Sequence, residues 1–293
     1  MSMEFRVLGP VETWCGGSMA PVPSGRQTAV LAALLLQANR VVSVPQLVEA
    51  LWASVPPQSA RATVENHIKR LRQTLGEPGR HRIVTRRPGY LIRVDANELD
   101  VSRFEAHLTA AKDAAGAGLW ALSADRSRAA LALWRGEPLA NVGSAALAMR
   151  EVPRLREMCL AAAELNMSAA IRIGRYSEVI GELRRLTAAN PFRERFYALL
   201  MTALHGDGRH AEALAVYQQA RGILLADLGC EPGQQLRELH QQILCNDVRL
   251  PGNPPGTGRV AGQPVVLCRR SGAAWGSSRD ARSSRFCRGV RRS

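Results

Sequence analysis

The sequence predicts a mainly α chain, with a small α+β module at the front and a longer all-α repeat segment behind it. Three observations carry this. Short apolar runs broken by Gly and Pro occur near the start, in "FRVLGPVETWCGGSMAPVP", a pattern that suits short antiparallel strands. Ser24/Gln27 and Ser43/Gln46 each have the spacing of a capping box at a helix start. Later, "IGRYSEVIGEL" (173–183) aligns with "DGRHAEALAVY" (207–217), an internal repeat of 34 residues.

Charge follows the same division. The 293 residues carry a formal charge of +14. Residues 1–97 hold 12 Lys+Arg against 6 Asp+Glu, residues 98–246 hold 17 of each, and residues 247–293 hold 10 Arg against 2 Asp. A basic front beside a neutral middle points to a polyanionic partner for the front alone. The six cysteines are widely spaced with no CxxC pair, which argues against a zinc site or a disulfide framework and for a reduced, cytoplasmic protein. The longest apolar run, Ala29–Leu36, is too short to span a bilayer, and "MSMEFRVLGP" lacks the apolar core of a secretion signal.

Within the front module, the strands lead into a helix through "TAVLAALLLQ" that stops near Asn39, a residue tolerant of left-handed backbone. A second short helix is expected at "SVPQLVEALW", with Pro45 where a missing N–H costs little. "SVPPQS" breaks the chain, and "RATVENHIKRLRQTLG" forms the third helix. On that helix Val64, Ile68, Leu71 and Leu75 fall within roughly 60° of one another and make an apolar stripe. Asn66, Lys69 and Gln73 point away from it, with Thr63 and Arg70 on one shoulder and Arg72 on the other. Acids are scarce on this face, Glu65 excepted, whereas a solvated helix face usually interleaves them. His67 sits on the flank, placed for a phosphate contact or for packing.

"HRIVTRRPGYLIRV" then reads as strand, tight turn, strand: Ile83 to Thr85, Arg-Pro-Gly, Tyr90 to Val94. A basic helix followed by a basic hairpin is the layout of a winged helix-turn-helix. The helix would enter the major groove, where Asn pairs with adenine and Arg or Lys with guanine. The hairpin tip would set Arg86 and Arg87 against an adjacent backbone or minor groove. The sequence therefore nominates Arg61, Thr63, Asn66, His67, Lys69, Arg70, Arg72, Gln73, Arg86 and Arg87 as the DNA-facing set.

The initial strands, the three helices, "TVENHIKRLRQTLG" and "TRRPGYLI" resemble the OmpR-like winged helix. In particular they resemble its version in the Streptomyces antibiotic regulatory protein family of transcriptional activators. A TRPPGY-like wing is usual there, and Arg87 replaces one of its prolines. The resemblance implies that Arg86 is the wing arginine and that Thr63, Asn66, Lys69, Arg70 and Arg72 face DNA.

Behind the front module, strand signals give way to Ala- and Leu-rich helical periodicity. In the second repeat copy Tyr197, Leu200, Leu204, Gly208, Ala213, Tyr217 and Ala220 follow the large/small tetratricopeptide pattern, and Pro191 marks a helix stop. Such repeats are interaction scaffolds. "AALALWRGEPLANV" reads as the end of a helix plus a loop, and resembles the opening of the bacterial transcriptional activation domain of the same family. The domain organisation expected is 1–95 winged helix, 98–246 helical activation domain, and 247–293 a basic tail, whose Gly/Pro/Ser/Arg composition predicts disorder.

Enzyme signatures are lacking. There is no HExxH, phosphate loop or GxSxG, and the pairs His205/His210 and His240/Cys245 are five residues apart, off a shared helix face. No cofactor or metal is expected. The resemblance implies an activator that binds promoter direct repeats as paired protomers, contacts RNA polymerase holoenzyme and switches on a secondary-metabolite gene cluster. The rival is a helical-repeat adaptor with only nonspecific affinity for DNA. A helical enzyme lacks candidate residues, and a membrane-surface protein lacks a spare basic amphipathic helix.

Overall fold

The structure, a computed structural model, describes residues 3–21, 25–52 and 55–245. The chain opens with a three-stranded antiparallel sheet, β1 (Met3–Arg6), β2 (Glu12–Cys15) and β3 (Ser18–Ala20). Helix α1 (Arg26–Leu35) follows, then β4 (Val42–Ser43), α2 (Val44–Trp52), α3 (Ala60–Thr74), a short α4 (Gly76–Arg80) and the hairpin β5 (Ile83–Arg86)–β6 (Gly89–Ile92). The second sheet has the order β4-β6-β5.

Local signals account for most of this. Gln46 Oε1 accepts from the Ser43 N–H at 2.9 Å, and Ser43 Oγ accepts from the Gln46 N–H at 3.4 Å, the reciprocal bonds of a capping box. At α1 the N-cap position is Gly25 rather than the expected Ser24, which lies outside the described residues. Asn39 does adopt left-handed backbone, at φ 63°. Its side chain also bonds both the carbonyl and the N–H of Val94, at 2.8 and 3.0 Å, so it ties the end of the first helix to the segment after the hairpin.

Behind the hairpin come α5 (Asp100–Gly116), α6 (Trp120–Leu131), the long α7 (Ala145–Arg172), α8 (Tyr176–Ala189), α9 (Glu194–Gly206), α10 (His210–Leu228) and α11 (Gln234–Leu244). The 34-residue repeat has a structural counterpart. Gly174 and Gly208 both take φ 80° and close the same turn: Arg175 N–H bonds Ala170 O, and Arg209 N–H bonds Leu204 O. The α5–α6 turn repeats the pattern at Gly118 (φ 73°), with Leu119 N–H on Ala114 O. That copy escapes sequence alignment because the 132–144 loop and the length of α7 destroy the 34-residue spacing. The pattern residues Tyr197, Leu200, Leu204, Ala213, Tyr217 and Ala220 are all buried.

The core does not break at residues 95–98, where the sequence places a boundary between modules. One hydrophobic cluster runs from Met3 to Ala162, and a second from Ala163 to Ile243, so the change of core falls inside α7. The connecting segment is pinned on both sides. Phe5 N–H bonds Glu98 O at 2.6 Å, and Arg82 pairs with both Asp95 (3.0 Å) and Glu98 (2.9 Å). Asp100, almost fully buried, accepts the N–H groups of Val7 and Leu8 at 2.8–2.9 Å. Burial raises its pKa, against the downward pull of those backbone donors and of Arg135.

From the other side the 132–144 loop clasps the first sheet. Arg135 N–H bonds Leu8 O, its guanidinium bonds Pro10 O and pairs with Glu12, and Asn141 bonds both the N–H and the carbonyl of Val11. Ser144 caps α7 and donates its hydroxyl to Ala50 O in α2, at 2.6 Å. A winged helix this small exposes much of its apolar sheet surface, and the helices behind it supply the cover. The predicted disorder of 247–293 lies outside the described residues.

Candidate nucleic-acid interface

Helix α3 is held by its apolar stripe: Val64, Ile68, Leu71 and Leu75 are buried against α1 and α2. Burial of each such side chain stabilises by about 1.5–3 kcal/mol, enough to fix which side of the helix faces out. Asn66, Lys69, Arg70 and Gln73 are exposed on the opposite side, within roughly 100° of arc. None of these four side chains is paired with an acid among the described residues. Glu65, the one acid nearby, is paired with Arg61 at 3.2 Å, and both side chains stay exposed. Thr63 is half-buried and donates its hydroxyl to Ser59 O at 2.9 Å.

Two nominated residues turn toward the protein, His67 by the packing alternative of the sequence reading and Arg72 against its expected outward placement. Both ring nitrogens of half-buried His67 are covered and without a hydrogen-bond partner among the described residues. Burial, reinforced by Arg70 and Arg26, lowers its pKa and keeps the ring neutral. This placement favours packing, one of the two roles open to His67. Arg72, half-buried, donates Nε–H to Ile83 O at 3.0 Å and Nη2–H to Thr85 Oγ1 at 2.9 Å, and its guanidinium lies 5.9 Å from the Tyr90 ring centroid. Two of its five N–H donors are thus committed to the wing. A helical wheel shows the side a residue faces, not how far a long side chain folds back to a neighbouring strand.

The wing is tighter than expected. Arg86 and Gly89 pair in the ladder, which leaves Arg87-Pro88 as a two-residue turn. Gly89 also pairs with Ser43 of β4, and a Cβ there would sit 1.9 Å from Val42 O, so only glycine allows β6 to lie between both neighbours. Arg86 and Arg87 are exposed at the tip and unpaired among the described residues. The exposed nominated residues with no ion-pair partner among the described residues are thus Asn66, Lys69, Arg70, Gln73, Arg86 and Arg87, on a helix and a hairpin that Arg72 joins, while Arg61 is exposed but paired with Glu65.

Outside this surface the chemistry is sparse. His205 and His210, separated in sequence by a turn, meet across it: the α9–α10 reversal brings their Nδ1 atoms to 2.7 Å. The sequence argument from helix faces missed this because the two rings sit on different helices. His240 stacks on Tyr217 at 3.9 Å. Among the described residues no group of three His, Cys, Asp or Glu is placed to hold a metal ion, and no helix is long and apolar enough to cross a membrane.

Residues 22–92 match the family described as "Transcriptional regulatory protein, C terminal", and residues 99–244 match "Bacterial transcriptional activator domain". The chain is 35% identical over 261 residues to the regulatory protein DnrI of Streptomyces peucetius, covering 86% of this chain and 96% of that protein. The chain belongs to the Streptomyces antibiotic regulatory protein family of transcriptional regulators.

Other similarities fit this family. The regulatory protein AfsR of Streptomyces griseus is 37% identical over 268 residues, which cover 91% of this chain and 27% of AfsR. The chain therefore spans about a quarter of the AfsR proteins it matches, whose Streptomyces coelicolor form is covered to 25%. A solved structure, Mycobacterium tuberculosis EmbR in complex with a low affinity phosphopeptide, superposes with a TM-score of 0.77 at 34% identity, covering 84% of this chain and 66% of EmbR. The fold is thus the winged helix plus helical activation domain of this family, mostly helical, as the sequence predicts.

Proposed function

We propose that the chain is a sequence-specific DNA-binding transcriptional activator, with α3 in a major groove and the β5–β6 wing on the flanking backbone. One observation carries this: Asn66, Lys69, Arg70 and Gln73 stand exposed and unopposed by acid on a helix whose other side is buried. Amides and cations on one rigid face are what bidentate base contacts need. Family membership supports a finer reading. Protomers bind promoter direct repeats head to tail, the helical domain engages RNA polymerase holoenzyme, and the target is a secondary-metabolite gene cluster. Such work belongs in the cytoplasm, on the nucleoid.

Footprinting of the full chain on upstream regions of neighbouring genes tests the reading. Protection of two same-orientation sites on one duplex face is the expected result. Equal affinity for promoter and random duplex would favour the adaptor, whose basic module only attracts phosphate.

A further inference from the structure

We infer that Arg72 is a positioning residue for DNA recognition: it sets the wing against the reading helix and makes no contact with DNA itself. The inference rests on the DNA-binding reading above and adds the coupling between its two contact elements.

Arg72 lies in the last turn of α3, on the side facing the hairpin. Its three contacts all belong to the wing: the Ile83 carbonyl and the Thr85 hydroxyl on β5, and the Tyr90 ring on β6. Thr85 and Tyr90 are cross-strand partners one pair before Arg86↔Gly89, where the turn begins. The guanidinium thus clamps the hairpin next to the tip that carries Arg86 and Arg87. A two-stranded hairpin twists and hinges readily by itself, and here the other side offers the two-residue β4 and two further backbone bonds, Asn39 N–H on Ile92 O at 2.9 Å and Val44 N–H on Pro88 O at 3.3 Å. A planar fork that bonds a backbone carbonyl and a hydroxyl at once fixes direction as well as distance. An ammonium presents a point charge and lacks that geometry. Nε–H and one Nη2–H are committed to β5 and the side chain is half-buried, so the fork is oriented by the wing, and the slope measured below decides whether its remaining N–H groups meet a phosphate.

The test is the salt dependence of affinity for a duplex carrying the footprinted sequence, measured with the full chain. Each lost phosphate contact makes the log–log slope shallower by about one unit. Removing both wing arginines (Arg86→Ala with Arg87→Ala) is expected to take away up to about two units. Arg72→Ala and Arg72→Lys should each reproduce part of that loss, and Thr85→Val a smaller part. In the background lacking both wing arginines, Arg72→Ala should change the slope no further. The base preference set by Asn66 should survive, because the apolar stripe still anchors α3. An Arg72→Lys chain with the wild-type slope, or an Arg72→Ala loss that adds in full to the wing loss, would show that Arg72 acts as a direct phosphate ligand and overturn the inference. A wild-type chain with no salt-dependent duplex binding would instead remove the DNA reading itself, and the role of Arg72 with it. Thermal unfolding separates both cases from misfolding, since loss of fold lowers the active fraction and leaves the slope alone.

Discussion

In the proposed binding mode, Asn66 is the residue on which base reading turns. Its amide is exposed, without a partner among the described residues, at the centre of the face that the buried Val64 and Ile68 push outward. An amide offers a donor and an acceptor side by side, the pattern that an adenine edge complements. Replacing Asn66 by Ala is expected to cost about 1–3 kcal/mol on the preferred duplex and to relax selectivity at one base pair. Competition assays with single-base variants check this, and unchanged preference at every position would remove Asn66 from the reading set. Neighbouring residues show how far residue type alone reaches. Lys69 and Arg70 stay exposed as the helical wheel predicts. His67 and Arg72 do not, because one ring fits the seam between helices and one long side chain finds acceptors on a strand 11 residues further on.

At the scale of elements, the hairpin depends on Gly89. Gly89→Ala forces a Cβ to within 1.9 Å of Val42 O and 2.7 Å of Ser43 Cα, both backbone atoms that cannot swing aside. The β4–β6 pairing must open, at a cost of about 1–3 kcal/mol or more. Chemical denaturation is expected to show that loss, together with weaker duplex binding as the wing loses its inner support. A stable variant with intact affinity would mean that β4 is dispensable. The pair Ser43 and Gln46 was legible as a cap because its chemistry is local, three residues apart. Strand β4 was not legible: two residues carry no periodicity, and its existence depends on a partner 46 residues away, with Ser43 opposite Gly89. The repeat turns show the same contrast. Gly174 and Gly208 announce themselves by their spacing, whereas the equivalent turn at Gly118 appears only in three dimensions.

At the scale of the whole molecule, two features decide stability. Asp100 serves as anion for the N–H groups of Val7 and Leu8, and its removal strands buried donors. Each unsatisfied donor costs about 1–3 kcal/mol, so Asp100→Ala is expected to destabilise the chain by roughly 2–5 kcal/mol in urea titration. A loss below the error of the fit would show that water replaces the carboxylate. The second feature is acid sensitivity. His205 is buried, and burial with the charge of His210 lowers its pKa below the ordinary 6.5. The folded chain then binds fewer protons than the unfolded one between that lowered value and 6.5. Stability from this site is therefore complete above 6.5 and falls as pH drops through the window. His67 and His240 shift in the same direction. The urea midpoint should fall between pH 7.5 and 5.5, and His205→Gln should narrow that fall. An equal fall in the variant would place the sensitivity elsewhere.

The amino-acid sequence alone determined the class of each half, the apolar stripe of α3, the exposure of Asn66, Lys69, Arg70 and Gln73 and the basic hairpin, because these follow from periodicity and from chemistry within a few neighbours. Only the tertiary structure decided that one core continues past residue 98, that Arg135, Asn141 and Asp100 bind the halves together, and that Arg72 serves the wing. Those facts depend on groups as much as 130 residues apart meeting in space, as Asn141 meets Val11, and a buried polar group finds its partner by proximity rather than by position in the chain.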